Sequence, residues 1–195
     1  MLTEILLAVT TTTTLSTGVC SYRLRRKLRT DPLTGLGNRL ALAEAFARAR
    51  RRFPVVAVAL GDMNGFKALN DIHGHRFGDR VLVEIAAILQ RTAAHGEVPV
   101  RLHGDEFAVL IPCPTPDHAA RRLDAYRTAV DALTEVDGQP ITASMALGVM
   151  TAPSHSAELS ALLASADDRM YGDKHAHHSM RKEQECRSIS PAKAS

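Results

Sequence analysis

The chain has 195 residues, which favours one domain with tails. Apolar residues make up 45% of it, enough for a core and too many for a disordered chain. A net charge of +3, an aromatic content of 4% and the absence of Trp leave no basic, aromatic-interleaved surface, so nucleic acid is not an expected partner.

Three cysteines, Cys20, Cys113 and Cys186, are odd in number and far apart. They fit a reducing compartment and exclude both a disulfide framework and a zinc knuckle.

Residues 2 to 20 carry one charge, Glu4, and then meet the basic run Arg23, Arg25, Arg26, Lys27 and Arg29. That order is the pattern of a membrane anchor followed by a cytoplasmic domain. Against it stand five consecutive threonines, Thr10 to Thr14, and a span of 19 residues, close to the minimum. A soluble or interfacial helix within residues 1 to 29 is the alternative. A cleaved signal would carry its positive charges before the apolar stretch.

The body is read as residues 30 to 178. Asp31-Pro32 and Gly35 give turn chemistry, and a helix is expected over 39 to 52, with Leu42 and Phe46 four apart. Residues 54 to 61 form a short apolar run, expected as a buried strand. A polar, glycine-containing stretch from Asp62 to Asp79 follows. Leu82, Ile85, Ala86 and Leu89 then predict an amphipathic helix over 79 to 93. Strands are expected over 98 to 102 and 106 to 111, joined as a tight hairpin across His103, Gly104 and Asp105.

Leu123, Tyr126, Val130 and Leu133 mark the next helix. Alternation from Ile141 to Val149 predicts a half-buried strand. Leu159, Leu162, Leu163, Ala166 and Met170 mark a last helix. From His175 the sequence turns polar and basic, and residues 179 to 195 are expected to be a disordered tail.

From Pro54 to Met150 the order is β-α-β-β-α-β, so the expected class is α+β. The architecture is a ferredoxin-like palm of nucleotidyl-cyclase type with an N-terminal helix and an additional C-terminal helix. In that fold the first and third strands are antiparallel neighbours. The end of one and the start of the other then carry Asp62 and Asp105. Two carboxylates that converge need a positive charge between them, and a hard dication is the usual one. Ordinary strand-end polar residues are the alternative on spacing alone.

Four segments resemble one family in its own order. Asp31-Pro-Leu-Thr-Gly-Leu-Gly-Asn38-Arg39 resembles DxLTGLxNR. Residues Asp62 to Asp79 resemble D-x-[DN]-x-FKxxND-xxGHxxGD. Arg101-Leu-His-Gly-Asp-Glu-Phe107 is similar to RxGGDEF with its first Gly replaced, a variant HGDEF signature. Ala166 to Lys174 is similar to ADxAMYxAK. Together they cover about residues 30 to 178 and resemble the GGDEF (diguanylate cyclase) family.

The resemblance implies an enzyme that joins two GTP into cyclic di-GMP with release of two pyrophosphates. It implies Mg²⁺, with Mn²⁺ as the alternative, and a homodimer in which two sites face each other. Asp62 and Asp105 would ligate the metal, with the Met63 carbonyl adding a ligand and Glu106 beside them. Asn70 and Asp79 would read guanine, a carboxylate accepting two parallel N–H bonds from its edge. Lys67 and Lys174 would neutralise phosphates, Gly104 would admit the nucleotide, and Phe66 would lie against it. Phe66 and Met170 also read as core residues, Asn38 and Arg39 as structural, and Asn70-Asp71 as a turn cap.

The sequence departs from the pattern at three places. His103 stands at the first signature Gly, where a positive φ would strain it. His178 stands where an Arg is common. Ala94 and Glu97 replace the RxxD of the feedback site, so product inhibition there is not expected. Two rivals remain at this stage: a degenerate module that senses GTP or cyclic di-GMP without turnover, and a membrane-tethered scaffold with no nucleotide affinity.

Overall fold

The structure, a computed structural model, describes residues 27 to 189 and the side chains of residues 27 to 174. The anchor expected over residues 2 to 20 lies outside the described residues. Among the described residues no helix is long and apolar enough to cross a membrane.

Helix α1 spans Arg39–Ala49. Asn38 starts it: its Oδ1 accepts from Leu40 N–H at 3.0 Å and Ala41 N–H at 3.3 Å, satisfying two of the open donors of the first turn. Its Nδ2 donates to the Leu28 carbonyl at 2.9 Å, which ties the incoming chain to the domain. The helix stops at Ala49, ahead of the expected residue 52, and the chain leaves it in tight turns, with Arg51 N–H on the Arg48 carbonyl at 3.2 Å and Arg52 N–H on the Ala49 carbonyl at 3.0 Å.

Strand β1 spans Val55–Met63. The polar stretch after it is not a loop. It folds into α2, Phe66–His73, and then α3, His75–Thr92, which begins four residues ahead of expectation. Gly74, at φ +82°, both ends one helix and starts the other. Phe66 and Leu69 are the apolar side of α2, packed against the core.

Strands β2, Val98–His103, and β3, Glu106–Cys113, form the expected hairpin. Helix α4 spans Pro116–Asp131, with Pro and Asp117 in its first turn. Two short strands, β4 (Glu135–Val136) and β5 (Gln139–Pro140), form a second hairpin that the alternation did not announce. Strand β6 spans Met145–Pro153, four residues later than expected at each end. Helix α5 spans Leu159–Ile189 and runs through residues 179 to 189 of the expected tail. That stretch is rich in helix formers: Met180, Arg181, Lys182, Glu183, Gln184 and Glu185.

The main sheet has the order β2-β3-β1-β6, antiparallel throughout. It is the expected ferredoxin-like palm. One face carries Ala57, Ala59, Phe107, Val109, Ile111, Met145 and Leu147 under α2, α3 and α4. The other carries Val56, Val58, Leu60, Ala108, Leu110 and Ala146 under α1 and α5. The added terminal helices therefore turn a two-layer palm into three layers.

Only the first four residues of β6 are fully buried, and residues 149 to 152 are half-buried. Along the buried part both faces are covered, so its alternation is of size and not polarity. Met145 and Leu147 point to one layer, and Ala146 and Gly148 to the other. A Cβ at Gly148 would strike the backbone of Ala166 and Met170, so α5 lies directly on the strand.

Candidate active site

The strand register builds the site. Asp62 near the end of β1 sits opposite Glu106 at the start of β3, and His103 at the end of β2 sits opposite the same Glu106. Side chains alternate along a strand, so Asp62 shares the face of Val56, Val58 and Leu60 that α5 covers. From α5, Lys174 Nζ reaches Asp62 Oδ1 at 2.7 Å. Asp105 lies in the hairpin turn beside this row.

The charge of Asp62 is felt at Asp105. Burial pushes the Asp105 carboxyl above its ordinary value, and the negative charge of Asp62 pushes it further. The Asp105 backbone N–H, Lys174 and His103 pull in the other direction without cancelling the rise. Two carboxylates and one ammonium thus converge at one end of the sheet.

The donor set fits a hard dication completed from outside. Among the described residues no group of three or more His, Cys, Asp and Glu forms a cage. Two carboxylates with substrate phosphates and backbone oxygen suit Mg²⁺, which seldom has an all-protein shell. The Met63 side chain is buried in the core, which leaves only its carbonyl for such a role.

The hairpin turn corrects one expectation. His103 is the last residue of β2, and the two-residue turn is Gly104-Asp105. Gly104 takes the positive φ, +49°, while His103 stays outside the left-handed region, so the anticipated strain at His103 is absent. Its ring turns toward the carboxylates: Nε2 lies 3.2 Å from Glu106 Oε2.

Two residues that carry no assigned chemistry in the sequence hold this turn. Arg101 Nε donates to the Gly104 carbonyl at 2.8 Å, and its Nη1 reaches Asp31 Oδ1 at 3.0 Å. Asp31 also accepts from Thr34 N–H and Oγ1–H at 2.8 and 2.7 Å. Burial pushes the Asp31 carboxyl up, but the Thr34 and Arg101 bonds outweigh it and hold it below its ordinary value. The only available signal was that Asp31 and Arg101 each open a matched segment.

Asn70 on α2 lies against Gly78 on α3, the residue before Asp79. Gly78, beside Asp79, packs so closely on Asn70 that a Cβ there would overlap its Oδ1. That Oδ1 is buried and has no hydrogen-bond partner among the described residues. Asp79 and Lys67 are exposed. Phe66 is half-buried against the core, its ring edge near Gly78, which fits the core reading better than the ligand one.

Glu97 is the other surprise. Its side chain is 2% exposed and receives Arg122 at 2.7 and 2.9 Å, Tyr126 O–H at 2.7 Å and Ala94 N–H at 2.8 Å. Burial raises its carboxyl, yet these bonds hold it below its ordinary value. It ties α4 to β2.

The family model "Diguanylate cyclase, GGDEF domain" matches residues 28–180. Diguanylate cyclase DgcP of Pseudomonas aeruginosa is 34% identical over 157 residues, 78% of this chain and 23% of DgcP. The chain thus spans under a quarter of that relative. The coiled coil and GGDEF domain of DgcB from Caulobacter crescentus, solved in complex with c-di-GMP, superposes with a TM-score of 0.77 at 25% identity, covering 89% of this chain and 94% of that one. A sensory box/GGDEF family protein from the same organism gives 0.70 at 35% identity, covering 76% and 99%. With the fold, the motif order and the family match in agreement, the chain belongs to the GGDEF family of diguanylate cyclase domains.

Proposed function

We propose that the chain condenses two GTP into cyclic di-GMP and two pyrophosphates, as a homodimer with Mg²⁺ or Mn²⁺. One observation carries this reading: burial and the negative charge of Asp62 raise the Asp105 carboxyl at a sheet end, where Lys174 pairs with Asp62 at 2.7 Å. A site of that charge suits a metal-bound triphosphate better than any role in packing.

A bound metal would neutralise phosphate charge and acidify the attacking ribose hydroxyl. Asp62, Asp105 and the Met63 carbonyl would hold it, and Glu106 adds a carboxylate beside them. Lys174 and Lys67 would take phosphate oxygens. The half-buried Asn70 amide and the Asp79 carboxylate would read the guanine edge. One site holds one GTP, so closing the ring needs two chains face to face. If residues 2 to 20 insert in a membrane, the basic run after them leaves the domain on the cytoplasmic side.

The test is to incubate purified protein with GTP and Mg²⁺ and to look for the cyclic dinucleotide, with Asp105→Ala as the control. The His103–Glu106 contact favours one second reading, a module that binds GTP or cyclic di-GMP without turnover. GTP binding without product, under conditions where a known cyclase is active, would select it.

A further inference from the structure

Asp62 already has a cation. Lys174 Nζ sits 2.7 Å from Asp62 Oδ1, and its charge also draws the Asp105 carboxyl downward. The stem that brings it there is anchored. Asp173, its neighbour on α5, accepts from Arg127 Nη1 and from Leu147 N–H of β6, both at 3.0 Å. β6 is an edge strand, so this contact fixes the helix turn to the sheet margin. The ammonium itself is less fixed: the Lys174 side chain is 41% exposed, while that of Asp62 is 13% exposed.

We infer that Lys174 is a resident counter-ion that holds Asp62 until nucleotide arrives, so that metal and nucleotide enter together. The inference rests on the nucleotide reading above. A dication approaching alone meets a positive charge already seated on one of its two carboxylates, and the like charges repel. A triphosphate offers Lys174 other oxygens. Once the ammonium turns to them, Asp62 is free for the metal. The coupling is reciprocal: nucleotide strengthens metal binding by the factor with which metal strengthens nucleotide binding. An anchored backbone with a long, flexible, half-exposed side chain is the structural requirement for such an exchange, and Asp173 and Lys174 supply its two parts.

The test measures Mn²⁺ binding to the full chain by the paramagnetic resonance of free Mn²⁺, with and without a non-hydrolysable GTP analogue. Wild type, Lys174→Gln and Lys174→Arg are compared. Lys174→Gln should tighten binding of Mn²⁺ alone about fivefold, the scale of removing one part-exposed charge, and should shrink the enhancement that the analogue gives. Lys174→Arg keeps the charge and should keep the wild-type pattern. If Lys174→Gln binds Mn²⁺ alone no better than wild type, while the analogue still enhances wild-type binding, the counter-ion role is wrong and the nucleotide reading stands. If the analogue neither binds wild type nor changes its Mn²⁺ affinity, both fall.

Discussion

The Arg101 guanidinium joins the hairpin turn to the start of the domain, with Nε on the Gly104 carbonyl at 2.8 Å and Nη1 on Asp31 at 3.0 Å. The turn that presents Asp105 is therefore held from below, by a group whose side chain is only 12% exposed. Arg101→Lys keeps the charge but cannot reach both partners in the planar geometry. It should cost about 1–2 kcal/mol of stability by denaturant titration and lower product formation more than GTP binding. Unchanged turnover in Arg101→Lys would show that the turn holds itself.

A buried pair elsewhere controls stability. Glu97 and Arg122 lie between β2 and α4, away from the acids at the sheet end, with Tyr126 O–H on the same carboxylate. Glu97→Ala would leave the Arg122 charge without its partner and should destabilise the fold by about 3 kcal/mol. The pH dependence follows from the lowered carboxyl. The folded state holds this proton less tightly than the unfolded chain, so the pair stabilises above the ordinary value near 4.5 and its contribution is lost as pH falls below that. Thermal melts of wild type and Glu97→Gln from pH 7 to pH 3 should converge at the acid end.

Some of this was legible in the sequence and some was not, for physical reasons. The apolar run of β1 and the hairpin of β2 and β3 stand out because buried strands read as short continuous hydrophobic stretches. With the strand order in hand, the meeting of Asp62 with the start of β3 follows. Helix α2 did not stand out because it is short, and only Phe66 and Leu69 of its residues pack on the core. The β4–β5 hairpin had a signal, Asp137-Gly138, whose φ values of 50° and 75° are those of a tight turn. Arg80 from α3 pairs with that same Asp137 and ties the hairpin down. β6 misled because both faces of its first four residues are covered. The contacts of Lys174 with Asp62 and of Arg122 with Glu97 join distant segments through tertiary packing, which no local period encodes.

The acid pair predicts a conflict between stability and function. The Asp105 carboxyl is raised, first by burial and then by Asp62, so the folded state holds its proton more tightly than the unfolded chain does. Ionising it therefore costs stability as pH rises above its ordinary value near 3.8, and that cost is fully present at neutral pH. Asp105→Asn removes the charge with little change in shape. It should raise the thermal midpoint at pH 7 by the equivalent of up to about 1 kcal/mol while abolishing cyclic di-GMP formation. A variant that is both inactive and less stable would mean that Asp105 makes a structural contact the charge argument omits.

Gly78 offers the cleanest separation of base recognition from chemistry. It carries no functional group, yet the Asn70 amide lies against it, and its neighbour Asp79 is the second proposed guanine contact. A methyl group at Gly78 would overlap Asn70 Oδ1, which is buried and without a hydrogen-bond partner among the described residues, so the amide must turn away. The Lys174 and Asp62 end of the site would not be touched. Gly78→Ala should therefore weaken GTP binding about tenfold, through loss of one or two hydrogen bonds to the base, while ATP, which that edge does not recognise, binds as weakly as before. Overpacking at the α2–α3 contact should cost about 1–3 kcal/mol, so binding is to be measured well below the melting temperature. Equal weakening of GTP and of a bare triphosphate would place the base elsewhere and remove Asn70 and Asp79 from its recognition.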